Sequence, residues 1–333
     1  MALDVNVTIK LSGVAGSVGF GVPLILVSKA ATAIDYVECS TAEEVVTAGF
    51  AENSDAVALF NIMKMQENKP RQIAVAQVTG TAVSALPGYL GKVRQVITLL
   101  GSDDSTMKQV ADYVETTDSM IYFPVITAAS GLSDFEGLDR TMVGVHSDGQ
   151  KLAAGIIGAT AGMDAGSFTY KNIIVKGVTP DALTESEIDA IDNKTGSGTG
   201  YGYTLQRKAG DIVTTEGKAA SGEFLDIVDS FDWIIKNIGY RSQKLLNSVP
   251  KLAYDNGGIG ALEGVTNGVL KDADNMGIIA HDEADTPLYA TDFGTRAESS
   301  ASDRADRNYR LGRFTFELAG AIHTATINGT VSV

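Results

Sequence analysis

Three glycines near the N-terminus have a spacing that could hold a phosphate group. Gly13, Gly16 and Gly19 follow an alternating segment that predicts a strand, as the glycines of a dinucleotide-binding loop do. Phosphate binding in such a loop requires a helix to begin directly after the glycines. Here Gly21 and Pro23 come next, and a strand-like apolar run follows. We therefore interpret the glycines as a hinge.

One segment has suitable residues at four positions of a calcium-binding loop. These residues, at loop positions 1, 3, 6 and 12, are Asp272, Asp274, Gly277 and Glu283. Position 5 should supply a side-chain oxygen, but it is Met276. The sequence therefore favours two carboxylates on a solvated turn at the end of a helix, without a metal ion.

The sequence contains three histidines: His146, His281 and His323. His146 precedes Ser147 and Asp148, but the side chains of a catalytic triad must converge in space and those of adjacent residues generally point apart. The single cysteine, Cys39, and the scattered histidines lack the spacing of a zinc site. Neither a G-x-S-x-G elbow nor a G-x-x-x-x-G-K-[ST] loop occurs. We therefore predict no catalytic residue, no metal and no cofactor.

Five arginines lie close together in an otherwise acidic chain. They are Arg296, Arg304, Arg307, Arg310 and Arg313. Arg304, Arg307 and Arg310 recur every third residue, a spacing that predicts one face of a helix. Either this face is solvated and paired with Asp303 and Asp306, or it is a positive patch that contacts an acidic partner.

The composition is typical of a globular protein that does not bind nucleic acid. The chain has 333 residues, 44% of them hydrophobic and 20% charged, with a formal net charge of -15. Binding to nucleic acid generally needs a basic surface that neutralises phosphates. No apolar run reaches about 18 residues, so we expect no membrane span. The single cysteine permits no internal disulfide and favours folding in a reducing cytoplasm.

Alternating strands and helices predict an α/β layer structure between residues 22 and 200. Strands are predicted at residues 24–27, 73–78, 121–127 and 142–145, and helices at residues 54–67, 90–100 and 107–114. Thr41 with Glu44 and Thr184 with Glu187 form capping boxes that start two further helices. A glycine-rich loop near residue 200 then marks a domain boundary.

The rest of the chain combines a long helix with strands at both chain ends. The helix is predicted at residues 223–247, before Pro250. The apolar face of the first strand consists of Val5, Val7, Ile9 and Leu11. Near the other end, residues 313–318 alternate in the same way, and Asn328-Gly329 is a strong hairpin signal.

The closing segment FELAGAIHTATINGTVSV, residues 316–333, resembles the last strands of contractile tail sheath proteins, which occur in myophages and phage-tail-like bacteriocins. Three earlier segments resemble the same family: GSFTYKNIIVKGVTPDALTESE (166–187), EGKAASGEFLDIVDSFDWI (216–234) and GGIGALEGVTNGVLKDADNMGII (257–279). Together they cover most of the second half of the chain in the family's order. Residues 30–140 contain no motif that we assign.

The resemblance implies a mixed α/β, two-domain tail-sheath fold whose terminal strands leave the subunit and complete a sheet in neighbouring copies. The implied parts are an N-terminal arm and hinge (1–21), an outer α/β domain (22–200), an inner, tube-facing domain (201–312) and a C-terminal arm (313–333). The arm residues are Val5, Val7, Ile9, Leu11, Phe314, Phe316 and Leu318, and the hinge residues are Gly13, Gly16, Gly19 and Gly21. The candidate contacts to the tube are Arg296, Arg304, Arg307 and Arg310.

The resemblance also implies a structural, non-enzymatic subunit that polymerises helically around a tail tube and contracts to drive the tube through a target cell envelope. The expected partners are further copies of the chain, the tail tube protein, and the baseplate and tail terminator proteins, with no nucleic acid and no insertion into a membrane. The expected location is the tail of a virion or phage-tail-like particle that assembles in a bacterial cytoplasm. Two alternatives are a tube or capsid subunit and a nucleotide-using α/β enzyme, which only the strand–helix alternation favours.

Overall fold

The computed structural model describes residues 21–100, 105–117, 119–194, 196 and 200–324. The strands are β1 (Val22–Val27), β2 (Ile34–Cys39), β3 (Ile73–Gln77), β4 (Val93–Leu99), β5 (Ile121–Tyr122), β6 (Val125–Ile126), β7 (Gly144–Val145), β8 (Leu205–Lys208), β9 (Asp211–Thr214), β10 (Tyr289–Phe293) and β11 (Gly312–Phe316). The helices are α1 (Ala42–Thr47), α2 (Asp55–Lys64), α3 (Ala82–Ala85), α4 (Ser105–Glu115), α5 (Lys151–Thr160), α6 (Glu185–Ile191), α7 (Leu225–Ser248), α8 (Asn256–Asn275) and α9 (Ala301–Ala305). The predictions for Val5, Val7, Ile9, Leu11, Gly13, Gly16, Gly19 and the Asn328-Gly329 hairpin lie outside the described residues.

The first half of the chain forms a five-stranded sheet in the order β2-β3-β1-β4-β5. Strand β1 pairs in parallel with β3 and β4, and β4 pairs in parallel with β5, whereas β2 is an antiparallel edge strand. The central strands are nearly continuous apolar runs, as expected for a parallel sheet that is covered on both faces. The prediction of an α/β structure for this part of the chain is confirmed.

Helices cover both faces of this sheet. Alternate side chains of β1 enter two different cores, since Ile25 packs with α2 and α5 whereas Leu24 and Leu26 pack with α4. All three side chains are fully buried. The result is a three-layer α/β/α arrangement, which we call the α/β unit.

The helix predicted at residues 90–100 is wrong, because this segment is strand β4. Its residues are buried on both faces from Val93 to Thr98, so the apolar pattern has no period of two that would distinguish it from a buried helix. The strand predicted at residues 121–127 is interrupted at Pro124, which separates β5 from β6. Proline has no backbone N–H to continue a ladder.

Two helix starts are confirmed by their capping contacts. The Ser54 side chain accepts a hydrogen bond from the Val57 N–H at 3.4 Å and starts α2. At α6 the Glu187 carboxylate accepts the Thr184 N–H at 2.7 Å, which completes the predicted capping box. The sequence does not predict helices α5 and α8, because both contain glycines that weaken a helical pattern.

The second half of the chain contains a smaller core. Helices α7 and α8 pack against each other and against the two-stranded sheet of β10 and β11. This core contains Ile234 and Ile238 of α7 and Val269 and Leu270 of α8. None of the helices in the described ranges has both the length and the hydropathy needed to cross a bilayer.

Helix α7 contributes to both cores. Leu225 is fully buried in the α/β unit, together with Tyr203, whereas Ile234 and Ile238 lie in the smaller core. Residues after position 200 therefore still belong to the first core. We propose that the division between the two units falls within α7 instead of at the glycine-rich loop near residue 200.

Candidate assembly surfaces

The two-stranded sheet contains the first residues of the predicted C-terminal arm. Strand β11 is antiparallel to β10, with Phe316 opposite Tyr289. Beyond the strand, Leu318 forms a β-bridge with Ile279. The structure therefore places Phe314 and Phe316 within the sheet of their own subunit and pairs Leu318 with Ile279 of the same subunit.

The alternation predicted for residues 313–318 orients this strand on the smaller core. Phe314 and Phe316 are half-buried and belong to the core of α7 and α8, whereas Thr315 and Glu317 are exposed. The ring centroid of Phe316 lies 6.4 Å from that of Phe231 on α7. One face of the sheet is thus fixed to the helices and the other faces solvent.

Both outer edges of this sheet lack a strand neighbour among the residues that the structure describes. An open strand edge presents backbone N–H and C=O groups that can pair with a strand of another chain. Because α7 and α8 already cover one face of the sheet, an added strand would extend an existing layer. The sheet of β10 and β11 is therefore a candidate acceptor for a neighbour's strand.

Gly21 is the described member of the predicted hinge, and its position is fixed. Its φ is +73°, and a Cβ at this residue would lie 2.6 Å from the carbonyl oxygen of Lys92. The Val22 N–H donates to that same oxygen at 3.0 Å. Only glycine combines this φ with so close an approach. Gly21 therefore anchors the start of β1.

The arginine cluster does not form one helical face. Helix α9 ends at Ala305, and Arg307 has a φ of +55°. This conformation is outside the helical region, so Arg307 and Arg310 follow the helix instead of continuing the face of Arg304. The prediction that these three arginines share a helical face is wrong.

Two of the four candidate tube contacts are used within the subunit. Arg304 Nη1 donates to two backbone carbonyl oxygens, including that of Arg296 at 3.2 Å. Arg310 Nε lies 3.3 Å from Asp303 Oδ1. The side chain of Arg310 is nevertheless exposed, as are those of Arg296 and Arg307. A positive patch directed at a partner would therefore rest mainly on Arg296 and Arg307.

The acidic residues of the calcium-like segment bind other side chains. Asp272 Oδ2 lies 2.6 Å from Arg241 Nη1, and Asp274 Oδ1 lies 2.6 Å from His281 Nε2. Helix α8 ends at Asn275, so the two carboxylates lie at a helix end, as predicted. In the described part of the chain, no group of three or more His, Cys, Asp or Glu residues is arranged to hold a metal ion.

The side chains of His146, Ser147 and Asp148 do not form a catalytic relay. His146 Nδ1 accepts the backbone N–H of Asp148 at 3.0 Å, and Nε2 lies 3.0 Å from the carbonyl oxygen of Thr179. The Ser147 hydroxyl donates to Asp181 instead of to the histidine. The Asp148 carboxylate lies 3.7 Å from Lys151 Nζ, so neither carboxylate nor hydroxyl of this tripeptide is aligned with the histidine as a triad requires.

A buried charge cluster joins the sheet to helix α7. Arg94 on β4 is fully buried, with its Nε 3.1 Å from Asp229 Oδ1 and its Nη1 2.5 Å from Asp232 Oδ2. Arg140 forms two hydrogen bonds of 2.8 Å with the same Asp232 carboxylate. The Tyr170 hydroxyl donates to Asp229. Residues from separate segments of the α/β unit thus bind two carboxylates on one face of α7.

The pKa values in this cluster follow from its charge balance. Burial raises the pKa of the Asp232 carboxyl, but Arg94 and Arg140 outweigh burial and hold that pKa at about 2. Lys236, one turn further along α7, is also buried, and burial together with Arg94 lowers its pKa to about 7. The positive charge of Arg94 thus disfavours a further positive charge on the buried lysine.

The pattern of residues in the sequence contains only part of the signal for this cluster. Asp229 and Asp232 stand three residues apart and so share a face of the predicted helix. Carboxylates that become buried on such a face require buried partners. The partner Arg94 lies 135 and 138 residues away from them in the sequence, so helical spacing alone could not identify it.

Solved structures of contractile assemblies match this chain over nearly its whole length. The helical sheath of the anti-feeding prophage in the contracted state has a TM-score of 0.70 at 13% identity and covers 99% of this chain and 99% of that chain. The sheath complex of an extracellular contractile injection system, PVC, has a TM-score of 0.70 at 10% identity, with coverage of 100% and 98%. The sheath tail protein from Listeria innocua has a TM-score of 0.56 at 10% identity, with coverage of 91% and 96%.

No protein-family model matches the sequence, and no curated protein matches it. At identities this low, the likeness to solved structures establishes the fold. The mixed α/β architecture, with a small sheet near the C-terminus, agrees with the fold that the sequence resemblance implies. This chain has the fold of a contractile sheath protein.

Proposed function

We propose that this chain is the structural, non-enzymatic subunit of a contractile sheath, which polymerises helically around a tail tube and contracts to drive the tube through a target cell envelope. The observation that carries this proposal is the agreement in fold with a contracted helical sheath over 99% of both chains. The match includes the α/β unit and the smaller core together. A nucleotide-using enzyme would share only the α/β architecture, which many functions use.

The geometry of the smaller core supports polymerisation through exchanged strands. The sheet of β10 and β11 has open edges among the described residues, and the N-terminal segment that contains Val5, Val7, Ile9 and Leu11 alternates as an added strand would. A strand donated from one copy to the next makes a head-to-tail interface, which produces a helical polymer when the rotation does not close. We therefore assign these terminal segments as links between copies.

The proposed partners follow from this arrangement. A similar chain occurs in the baseplate of the anti-feeding prophage, with a TM-score of 0.70, which supports an association with a baseplate as well as with further copies. Arg296 and Arg307 are the proposed contacts to an acidic tube surface, and a terminator protein would bind the far end of the polymer. The proposed location is the tail of a virion or phage-tail-like particle that assembles in a bacterial cytoplasm.

Contraction in this proposal is a rearrangement between subunits. Strand links keep neighbouring copies connected while each subunit rotates, so the polymer shortens without dissociating. Exposed ion pairs to a tube contribute about 0 to 1 kcal/mol each, which permits release. Better packing between α/β units in the short form would supply a small free energy per subunit, multiplied along the polymer.

Electron microscopy of the purified protein tests the proposal. We expect wide, ridged, hollow tubes, with a lumen that can accommodate a second tube. Smooth narrow tubes or closed shells would instead identify a tube or capsid subunit. A compact particle whose melting temperature rises on addition of nucleotides would contradict the sheath proposal and favour the enzyme.

A further inference from the structure

The last described residues return from the smaller core to the α/β unit. The Ala319 N–H donates to the carbonyl oxygen of Ile278 at 2.9 Å, which is a contact within the smaller core. Four residues later, His323 Nε2 lies 2.9 Å from the hydroxyl oxygen of Thr169. The His323 ring also packs edge-on against Phe224, with centroids 4.9 Å apart and planes at 85°. One side chain thus attaches the C-terminal segment to a different part of the subunit.

The burial of His323 differs sharply from that of its neighbour. The side chain of His323 is 14% exposed, whereas Ile322 is 88% exposed. A segment docked by general apolar burial would place the isoleucine inward, since that would remove more apolar surface from water. The segment is therefore attached specifically through the histidine.

Charged groups around the ring favour its neutral form. Nδ1 lies 3.8 Å from Glu216 Oε1, and Glu216 also lies 3.2 Å from Lys171 Nζ. Lys218 Nζ lies 5.2 Å from the centroid of the Phe224 ring that packs on the histidine. Burial, Lys171 and Lys218 lower the pKa of His323, and Glu216 opposes them. A neutral His323 ring can contact the Thr169 hydroxyl without adding a third positive charge to those of Lys171 and Lys218.

Resting on the proposed function, we propose that His323 is a positioning residue that fixes the base of the C-terminal arm to the α/β unit of its own subunit, so that only the residues after it are offered to a neighbouring copy. The segment from 325 to 333 can span at most about 30 Å when fully extended. An arm that began at Gly320 could span about 45 Å. The anchor therefore limits which neighbouring sheet edge the arm can reach.

The test compares His323→Ala with Ile322→Ala, a matched truncation of the exposed neighbour. In the unassembled subunit we expect subtilisin to cleave between residues 319 and 324 about tenfold faster in His323→Ala, because the cleavage rate follows the population of the undocked segment. Ile322→Ala should be cleaved like the natural protein. Thr169→Val, which keeps the histidine, should increase cleavage by a smaller factor. Equal cleavage in His323→Ala and the natural protein would overturn the anchor.

A second measurement addresses assembly. Tubes counted by electron microscopy should be several-fold fewer for His323→Ala than for Ile322→Ala at equal protein concentration. Faster cleavage with an unchanged tube count would show that the anchor exists but does not position the arm, and this would overturn the assembly part of the proposal. If the natural protein formed no tubes, the proposed function would fail, while the cleavage assay would still decide whether His323 anchors the segment.

Discussion

Arg140 and Asp232 form a bidentate ion pair across the boundary between the α/β unit and helix α7, with two N–O distances of 2.8 Å. Both residues are buried. The Glu115 carboxylate accepts the backbone N–H of Arg140 at 2.9 Å, so the arginine is also held on its own side of the boundary. Paired planar groups have a preferred geometry, and this pair therefore fixes the orientation of α7 as well as its distance from the sheet.

Replacing Asp232 with Asn should strongly destabilise the subunit. The change leaves Arg94 and Arg140 buried without the carboxylate they share, and breaking a buried ion pair in this way costs about 3–5 kcal/mol. Urea denaturation followed by circular dichroism measures the difference. The control is Asp292→Asn on the exposed side of β10, which should change the free energy of unfolding by less than about 0.5 kcal/mol.

The contribution of Asp232 should also depend on pH. Its pKa of about 2 in the folded protein lies below the value of about 3.9 expected in the unfolded chain. The unfolded chain therefore binds more protons between these values, and the stabilisation is present above about pH 4 and lost as the pH falls towards 2. A stability difference between Asp232→Asn and the natural protein that stayed constant from pH 6 to pH 2.5 would contradict this assignment.

Replacing Lys236 with Met should stabilise the subunit most at neutral and mildly acidic pH. The pKa of Lys236 is about 7 in the folded protein and about 10.4 in an unfolded chain. The unfolded chain binds more protons between these values, so the stability of the natural protein rises with pH from about 7 to about 10. Methionine removes the titrating group, and its advantage should shrink over that interval.

Melting temperatures measured from pH 6 to pH 10 test this expectation. The control is Lys244→Met, which changes an exposed lysine on the same helix and should have no such pH profile. A Lys236→Met variant that melts below the natural protein at every pH would mean that the ammonium group stabilises the cluster.

Deleting residues 1–12 should leave a folded subunit that no longer polymerises. The described core begins at residue 21, so the deletion removes none of the buried residues named above. Circular dichroism should be unchanged, and electron microscopy should show no tubes. Ile9→Asp and Thr8→Asp form a matched pair on opposite faces of the predicted strand, and only Ile9→Asp should impair assembly. Normal tubes from the deleted protein would refute the arm assignment.

Replacing both Arg296 and Arg307 with Glu should weaken loading of the sheath onto its tube without altering the fold. Both side chains are exposed. Each interfacial ion pair contributes about 0 to 1 kcal/mol, and its loss is repeated in every subunit along the sheath. The charge-matched control replaces Arg71 and Arg207, two exposed arginines of the α/β unit, with Glu. Unchanged co-sedimentation with tubes would identify the cluster as a solvated face.

Local signals in the sequence predicted elements of both cores where a cap or an alternation marked them. Thr184 with Glu187 located α6, and the alternation at residues 313–318 gave the buried face of β11. The buried run of β4 was assigned to a helix because burial on both faces removes the period. Interactions distant in sequence could not be predicted, and the contact of Arg94 with Asp229 is one of them.

The single helix shared by both cores determines how the subunit would respond to mechanical load. At about 1.5 Å per residue, the 24 residues of α7 extend about 36 Å, with Leu225 in one core and Ile238 in the other. A pull on the small sheet would be transmitted along this stiff rod to the ion pairs of Asp229 and Asp232. We therefore expect a polymer of this chain to deform at the interfaces between copies, while each copy moves as a rigid body.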